Sequence, residues 1–224
     1  MITSYGKTFP FNQFMKVMEK AYESYDNIPL VTLVAISGRD PFKILISAML
    51  SARTKDETTI VVTKRLFKVA GTAEKMSALS VDRIKKLIYP VGFYITKAPR
   101  VKAIAEKLIK EYDSIVPDSV EELLKFPGVG RKTANLVVGE AFKKPAICVD
   151  THVHRISNRF GIITTKTPHK TELALAEILP KKHWILYNTY LVSHGQMICN
   201  PISPWCSKCQ IRKFCKRKEV KKSR

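Results

Sequence analysis

The sequence predicts an all-α protein, and three observations support this prediction. Apolar residues recur every three to four positions through most of the chain, which is the helical period. Several runs begin at a capping residue or a proline and end at glycine. No segment shows the sustained alternation of apolar and polar residues typical of half-buried strands. With 224 residues, the chain can bury a hydrophobic core as one large domain or two smaller ones.

The helices follow in order from this pattern. Asp40 and Ser80 are N-cap residues, Pro168 after Thr167 occupies a first helical position, and Gly161 ends a helix. The predicted helices are 11–22, 41–50, one marked by Ile60, Val61, Leu66 and Val69 that stops at Gly71, 80–87, a longer one marked by Ile104, Leu108 and Ile109 that ends near Tyr112, a short one after Ser119, 130–143, 151–160, 168–179 and 182–197.

Composition and charge indicate the kind of partner. Lys and Arg number 39 against 19 Asp and Glu, for a net charge of +20. Such a field attracts polyanions, and nucleic acid is the expected partner. The apolar stretch at 28–36 is interrupted by Pro29 and is too short to span a bilayer. Because the first residues lack a secretory-signal pattern, we expect an intracellular protein with no membrane association.

A glycine-rich turn between two predicted helices lies at residues 123–135. Gly128 and Gly130 permit positive φ and leave backbone N–H groups uncovered. At the positive end of a helix dipole, these groups form a site for phosphate. A plain packing corner is the alternative, but Arg131 and Lys132 directly after the turn favour phosphate. Such a contact holds the DNA backbone and reads no sequence.

Four of the five cysteines lie close together, at positions 199, 206, 209 and 215. Structural disulfides are rare inside cells, so this density indicates metal ligation. Four thiolates can hold a tetrahedral zinc or a [4Fe–4S] cluster. Zinc sites commonly use two Cys-x2-Cys pairs, and only Cys206 and Cys209 have that spacing. Cys148 stands alone and is expected to be a small buried residue.

Three motifs together resemble one protein family. Residues 127–134, Pro-Gly-Val-Gly-Arg-Lys-Thr-Ala, resemble the helix–hairpin–helix of the endonuclease III family of DNA glycosylases. Residues 149–152, Val-Asp-Thr-His, resemble its Gly/Pro-rich loop with an aspartate, and the cysteine spacing resembles its iron–sulfur loop. With the helices between them, they cover about 41–215.

The resemblance implies a two-domain helix–hairpin–helix glycosylase fold. A helical barrel at 35–144 would carry the hairpin. Residues 1–34 and 145–224 would form a second helical domain, with the active site in the cleft between the two. A [4Fe–4S] cluster would be held there by Cys199, Cys206, Cys209 and Cys215.

The resemblance also implies the catalytic residues. Lys132 matches the family's nucleophilic lysine, and an amine attacks a sugar carbon only after losing its proton. A solvated phosphate contact is its alternative role. Asp150 matches the family's aspartate, which can stabilise a cationic sugar. Its position before residue 151 also suits an ordinary N-cap.

DNA contacts are implied at two further loops and around the cysteines. Arg53 occupies a position where many relatives carry glutamine, and Phe93 matches a leucine wedge. Phe93 could equally be a core aromatic, and for Tyr94 a core position is expected. His152 is expected to line the cleft or contact phosphate. The expected DNA-binding residues are Arg53, Phe93, Gly128, Val129, Gly130, Arg131, His152, Lys208, Arg212 and Lys213.

The remaining polar features receive structural interpretations. His154, His169 and His183 are expected at the surface or with a satisfied hydrogen bond. His194 is expected to be structural and to bond near the cysteines. The basic run 216–224 is expected to be loose.

The function implied is that of a base-excision-repair DNA glycosylase with AP lyase activity that removes oxidised pyrimidines. One alternative is a monofunctional mismatch or adenine glycosylase, against which Lys132 argues. Another is a non-catalytic, metal-stabilised DNA-binding protein. The expected partner is double-stranded DNA with damaged bases or abasic sites. We expect a monomer in the cytoplasm with the nucleoid, or in the nucleus of a eukaryote.

Overall fold

The computed structural model describes residues 1–25 and 37–224. Over these residues it confirms the all-α prediction, since the described β-structure is limited to an isolated bridge between Ile2 and Ile163. The apolar stretch at 28–36 and the predicted domain boundary at 34 and 35 lie outside the described residues. No helix in the described part of the chain is long and apolar enough to cross a membrane.

The chain divides into two compact units. One comprises Met1–Pro29 and Pro145–Arg224, and the other comprises Leu30–Lys144. In chain order the helices are α1 Ser4–Lys7, α2 Phe11–Glu23, α3 Pro41–Ser51, α4 Asp56–Val69, α5 Ala73–Ser77, α6 Val81–Ile88, α7 Tyr94–Glu111, α8 Val120–Leu123, α9 Arg131–Phe142, α10 Thr151–Phe160, α11 Pro168–Ile178 and α12 Trp184–Met197. Short 3₁₀ turns lie at Lys181–His183, Cys206–Lys208 and Arg212–Phe214.

Predicted and observed helices agree most closely where a cap marks the start. Asp40 accepts hydrogen bonds from the first turn of α3, and α10 runs over the residues predicted. The helix marked by Ile104, Leu108 and Ile109 is α7, which ends as predicted but begins ten residues before Ile104 and contains Pro99. Proline removes the bond that its nitrogen would make to the carbonyl of Ile95, and its ring crowds that carbonyl. The short helices α1 and α5 were not predicted.

The unit Leu30–Lys144 is built around α3. Eight of its eleven residues are buried, and a helix apolar on all sides belongs in a core. It packs against α4, α7 and α9. Leu45, Ile46 and Leu50 are fully buried. The loop that follows α3 therefore starts from a buried helix.

The other unit is closed by aromatic packing between its two chain segments. Phe14 of α2 is fully buried, with ring centroids 5.2 Å from Phe160 and 5.6 Å from Phe214. Thr3 Oγ1 donates to the carbonyl of Gly161 at 2.6 Å. The first helices of the chain are thus held on the segment that carries the cysteines.

The basic C-terminal run is ordered, so the expectation of a loose tail was wrong. The Arg224 amide donates to the carbonyl of Pro204 at 2.9 Å, and the Ser207 amide donates to the carbonyl of Arg224 at 3.0 Å. The guanidinium of Arg224 lies 3.9 Å from the centroid of the Trp205 ring. A cation–π contact with a residue 19 positions away has no local sequence signal.

We expect Gly6→Ala to destabilise the unit that contains both chain ends. A Cβ at this position would lie 2.0 Å from the carbonyl oxygen of Ile162, so the backbone must shift. The expected loss is about 2–3 kcal/mol in the free energy of unfolding, as for other overpacked sites. Urea denaturation measures it, with the exposed Ser4→Ala in the same helix as the control, expected within about 0.5 kcal/mol of wild type. A Gly6→Ala protein as stable as the control would contradict the close approach.

Candidate functional site

The hairpin turn leads directly into α9. Gly128 has φ 79°, a left-handed conformation that favours glycine. The Val129 amide donates to the carbonyl of Phe126 at 3.1 Å. Gly130 is the N-cap of α9 and provides no side-chain hydrogen bond to the first turn. Since a helix start leaves four N–H groups without intrahelical partners, this end of α9 is suited to an anion.

The residues after the turn differ in what they expose. Arg131 and Lys132 are exposed on the first turn of α9. Val129 was predicted to contact DNA, but its side chain is buried. Only the backbone of Val129 remains for such a contact. The glycines on either side, Gly128 and Gly130, are exposed.

Arg100 of α7 is a basic residue at this turn that the sequence analysis missed. A Cβ on Gly128 would lie 2.8 Å from Arg100 Cδ. The arginine stem therefore lies against the turn and adds positive charge beside the start of α9. Arg100 is 28 positions before the glycine, so no local motif indicates this proximity.

Asp150 is the N-cap of α10, as its sequence position suggested. Its Oδ1 accepts hydrogen bonds from the amides of His152 and Val153, both at 2.8 Å. One carboxylate oxygen serves both cap bonds, and Oδ2 lies outside them. The side chain is partly exposed.

The cap predicts how Asp150 contributes to stability. Asn caps helices about as well as Asp, whereas Ala loses the cap at a cost of about 1 kcal/mol. We therefore expect Asp150→Ala to lower the free energy of unfolding by about 1 kcal/mol and Asp150→Asn to change it by less than about half as much. Chemical denaturation of both variants measures this difference. Equal stability of the two variants would show that the cap contributes nothing.

The histidines are held by neighbours. His152 Nδ1 lies 3.1 Å from Arg155 Nη2, and a Cβ on Gly195 would lie 2.4 Å from that nitrogen. The His152 ring thus packs closely against α12. His154 Nδ1 lies 2.7 Å from Thr171 Oγ1, and burial lowers the pKa of His154.

His194 is structural and bonds near the cysteines, as predicted. It is buried, and its Nδ1 lies 2.8 Å from the hydroxyl of Tyr25. Its Nε2 lies 3.7 Å from Cys209 Sγ. Cys148 is buried as expected.

Arg53 and Phe93 lie together in the unit Leu30–Lys144. The Arg53 guanidinium carbon is 5.4 Å from the centroid of the Phe93 ring. Phe93 is 58% exposed, so it is not a core aromatic. Tyr94 was expected in the core but is only half-buried, with its ring edge-on to Tyr89 at 5.4 Å. The loop with Arg53 and the loop with Phe93, which the family resemblance places at the damaged base, therefore present one exposed pair of stacked side chains.

The four clustered cysteines line one pocket. Its walls also include Arg159, His194 and Trp205. All four thiols are free. Within the part of the chain that the structure describes, no three His, Cys, Asp or Glu side chains are gathered as a ready set of metal ligands.

The surroundings of these cysteines suit an anionic metal–sulfur group. Arg159 Nη1 donates to Cys199 Sγ at 3.3 Å, and the amide of Arg217 donates to Cys215 Sγ at the same distance. N–H donors to sulfur are typical around iron–sulfur clusters. The sequence contains no signal for Arg159, because the residues that it contacts lie some 40 positions further along the chain. It lies one turn after Arg155 on α10. The residues therefore fit the implied group.

The basic residues around the cysteines contact that segment itself. Lys208 Nζ lies 4.8 Å from the centroid of the Trp205 ring, and Lys213 Nζ lies 5.1 Å from that of Phe214. Arg212 Nη1 donates to the carbonyl of Cys206 at 3.4 Å. All three side chains are exposed. Their charges are held at the surface and remain open to an anion.

A family model for HhH-GPD superfamily base excision DNA repair proteins matches residues 46–181. Endonuclease III of Thermotoga maritima is 48% identical over 176 residues, which are 79% of this chain and 83% of that protein. A chloroplastic endonuclease III homolog of Arabidopsis thaliana is 42% identical over 183 residues, 78% of this chain and 48% of that longer protein.

Solved structures give the same result. A non-covalent endonuclease III–DNA complex and a trapped endonuclease III–DNA covalent intermediate each align with a TM-score of 0.81 and 35% identity. Each alignment covers 92% of this chain and 94% of the other. The chain belongs to the HhH-GPD superfamily of base excision DNA repair proteins, and within it to the endonuclease III family. It is a base-excision DNA glycosylase and lyase.

Proposed function

We propose that the protein removes oxidised pyrimidines from double-stranded DNA and then nicks the strand, with Lys132 as nucleophile and Asp150 as the supporting carboxylate. The observation that carries this assignment is the position of Lys132. It is exposed on the first turn of α9, two residues after an N-cap without a side-chain bond. A DNA phosphate at that helix end would bring the sugar–phosphate backbone to the amine.

Binding at the hairpin uses charge and uncovered backbone. The N–H groups at the start of α9 bind a phosphate, and Arg131 and Arg100 add positive charge on either side. These contacts fix the register of the DNA without reading its sequence. The +20 net charge of the chain strengthens association in a salt-dependent way.

The reaction begins when the neutral amine of Lys132 attacks C1′ of the damaged nucleotide. The C1′–N bond to the base breaks, and the base leaves with that electron pair and is protonated. The C1′–O4′ bond then breaks towards O4′, which is also protonated, and the opened sugar stays joined to Nζ as a protonated imine. Nζ gives up one of these two protons and solvent supplies the other. The imine acidifies the C2′ protons. Loss of one of them expels the 3′ phosphate by β-elimination, and water then releases Lys132.

Asp150 supports this reaction through the oxygen that the cap does not use. Oδ1 is bonded to the amides of His152 and Val153. The cap holds the carboxylate in a fixed orientation, and Oδ2 is assigned to the reaction. A negative charge there stabilises the cationic sugar as the base departs and can accept or return protons.

The target nucleotide must leave the helix stack before Lys132 can attack. Inside a duplex C1′ is inaccessible, so the nucleotide is flipped and the gap is filled. Arg53 and Phe93 are assigned to that gap. Their stacked, exposed side chains combine a flat apolar surface with the hydrogen-bond donors of a guanidinium.

Borohydride trapping tests the role of Lys132. Reduction of the imine should cross-link wild-type protein to a duplex with a single oxidised pyrimidine, and base release and strand nicking should accompany it. Lys132→Gln should abolish cross-linking, because the amide cannot form an imine. Lys68→Gln removes one exposed positive charge from α4 and should trap as well as wild type.

The outcomes separate the alternatives. Base release without nicking or trapping would indicate a monofunctional glycosylase. Lys132→Gln with every wild-type activity unchanged would indicate a non-catalytic DNA-binding role for the hairpin. Trapping on abasic duplex but on none of a panel of oxidised pyrimidines would overturn the proposed substrate class.

We also propose that Cys199, Cys206, Cys209 and Cys215 hold a [4Fe–4S] cluster. Their free thiols line one pocket and receive N–H donors from Arg159 and Arg217. When bound, the cluster would cross-link the loop that carries the exposed basic side chains. The chemistry that it would supply is electron transfer. No step at Lys132 requires it.

Iron and sulfide analysis tests the cluster. Protein prepared without oxygen should be yellow-brown and contain about four iron and four sulfide per chain, as a [4Fe–4S] cluster requires. Cys209→Ser should lose iron, while Cys148→Ala should retain it. One zinc per chain in colourless protein would contradict the proposal.

Because the substrate is DNA, we also infer action inside the cell, at the nucleoid or in the nucleus.

A further inference from the structure

Lys97 is a buried lysine that the reaction above does not use. It lies in α7 and is only 6% exposed. Its Nζ donates to the carbonyls of Leu50 at 2.7 Å and Ala52 at 2.6 Å, and lies 3.4 Å from Thr54 Oγ1. Burial lowers the pKa of Lys97 to about 8. In the part of the chain that the structure describes, no carboxylate forms an ion pair with it, so its charge is costly to bury.

The carbonyls that Lys97 binds lie at the end of α3. The last carbonyls of a helix have no intrahelical partner, and a cation there is favoured by the helix dipole. These contacts hold the residues directly before and directly after Arg53. Arg53 itself has φ 55°, a conformation that is costly for a non-glycine residue and persists only where its surroundings fix it.

A second set of contacts joins this loop to Phe93. Gly92 donates from its amide to Thr54 Oγ1 at 3.1 Å, and a Cβ on Gly92 would lie 2.4 Å from the carbonyl oxygen of Arg53. The amide of Lys97 donates to the carbonyl of Phe93 at 2.9 Å. The Lys97 side chain therefore holds the loop that contains Arg53. The Lys97 backbone belongs to α7, the helix that begins directly after Phe93.

Phe93 is also held in a left-handed conformation, with φ 60°. Two such residues on separate loops are fixed so that their side chains stack in solvent. Neither the exposed ring nor the exposed guanidinium packs into the core, so folding alone gives little reason for this arrangement. Backbone strain retained at exposed residues is typical of functional positions.

We propose that Lys97 is a positioning residue that fixes Arg53 and Phe93 as a preformed wedge for the gap left by the flipped nucleotide. The proposal rests on the gap-filling role assigned to those two residues. A wedge that is already ordered avoids the loss of side-chain freedom on binding DNA. That saving matters because unstacking and unpairing the target base is itself unfavourable.

Lys102 provides a matched control on the same helix. It donates to the carbonyls of Ser77 and Leu79 near the end of α5, so it also neutralises helix-end carbonyls from α7. It lies away from both loops. Both variants, Lys97→Met and Lys102→Met, remove an ammonium group and leave similar stems. Lys102→Met also removes an ion pair with Glu106, and only Lys97→Met removes the support of Arg53.

The measurement is the single-turnover rate of base release from a duplex with one oxidised pyrimidine. Lys97→Met should lower it about 10- to 100-fold, the effect of misplacing a site group by about 1 Å. Lys102→Met should stay within about threefold of wild type. Arg53→Ala should also lower the rate of base release. In the Arg53→Ala background, Lys97→Met should lower that rate by less than a further factor of about two, because the effects of residues that act as one unit are not additive.

Two further readouts separate positioning from simple stability. Fluorescence of 2-aminopurine placed opposite the lesion should rise on binding wild-type protein and rise less with Lys97→Met. Gly92→Ala, which displaces the same loop from the other side, should reproduce both effects and carries the test if Lys97→Met does not fold. Multiplicative losses in the double variant, or a Lys97→Met rate equal to that of Lys102→Met, would overturn the proposal. Failure of wild-type protein to release any base would instead overturn the proposed function.

Discussion

Helix ends determine where this protein can do chemistry, because each α-helix leaves N–H groups at its start and carbonyls at its end without internal partners. Three ends are treated differently. α9 begins at Gly130 with no side-chain cap, α10 begins under the carboxylate of Asp150, and α3 ends under the ammonium of Lys97. An uncovered start can take an anion from outside, whereas a capped end fixes the side chain that caps it.

Lysine lies in two contrasting surroundings, and we propose a different role for each. Lys132 is exposed at the start of a helix, while Lys97 is buried against carbonyls at the end of another. A buried lysine nitrogen that is bonded to three acceptors is held in one place, and it can fix the backbone of the loop that provides those acceptors. An exposed lysine is accessible to a substrate, as the proposed nucleophile must be. Charge count alone, at +20, does not distinguish the two.

Aromatic rings hold several of the other basic side chains in place. Lys208 and Arg224 both lie on Trp205, and Arg53 lies on Phe93. A cation held over a ring keeps its hydrogen-bond donors at the surface while losing side-chain freedom in advance. The basic surface is thus partly preordered for a polyanion, and this includes the C-terminal run expected to be loose.

Much of the fold could be predicted, because capping residues act on their own helices. Asp40, Ser80 and Asp150 each accept bonds from amides two or three positions on, and the helices after them start as expected. Periodicity failed at α7, whose early part includes Pro99 and exposed Ile95. The hairpin motif and the cysteine spacing indicated where the DNA-binding turn and the metal site lie. The sequence did not indicate that the Val129 side chain is buried.

By itself the sequence determined the helical class, the caps, the cysteine segment and the family to which the chain belongs, since each depends on residues near one another or on ordered motifs. Tertiary structure alone decided that Arg53 stacks on Phe93, that Arg159 donates to Cys199, and that Lys97 supports the loop after α3. These contacts join residues about 40 or more positions apart. Packing of whole helices brings them together, and no local pattern records which distant side chains will meet.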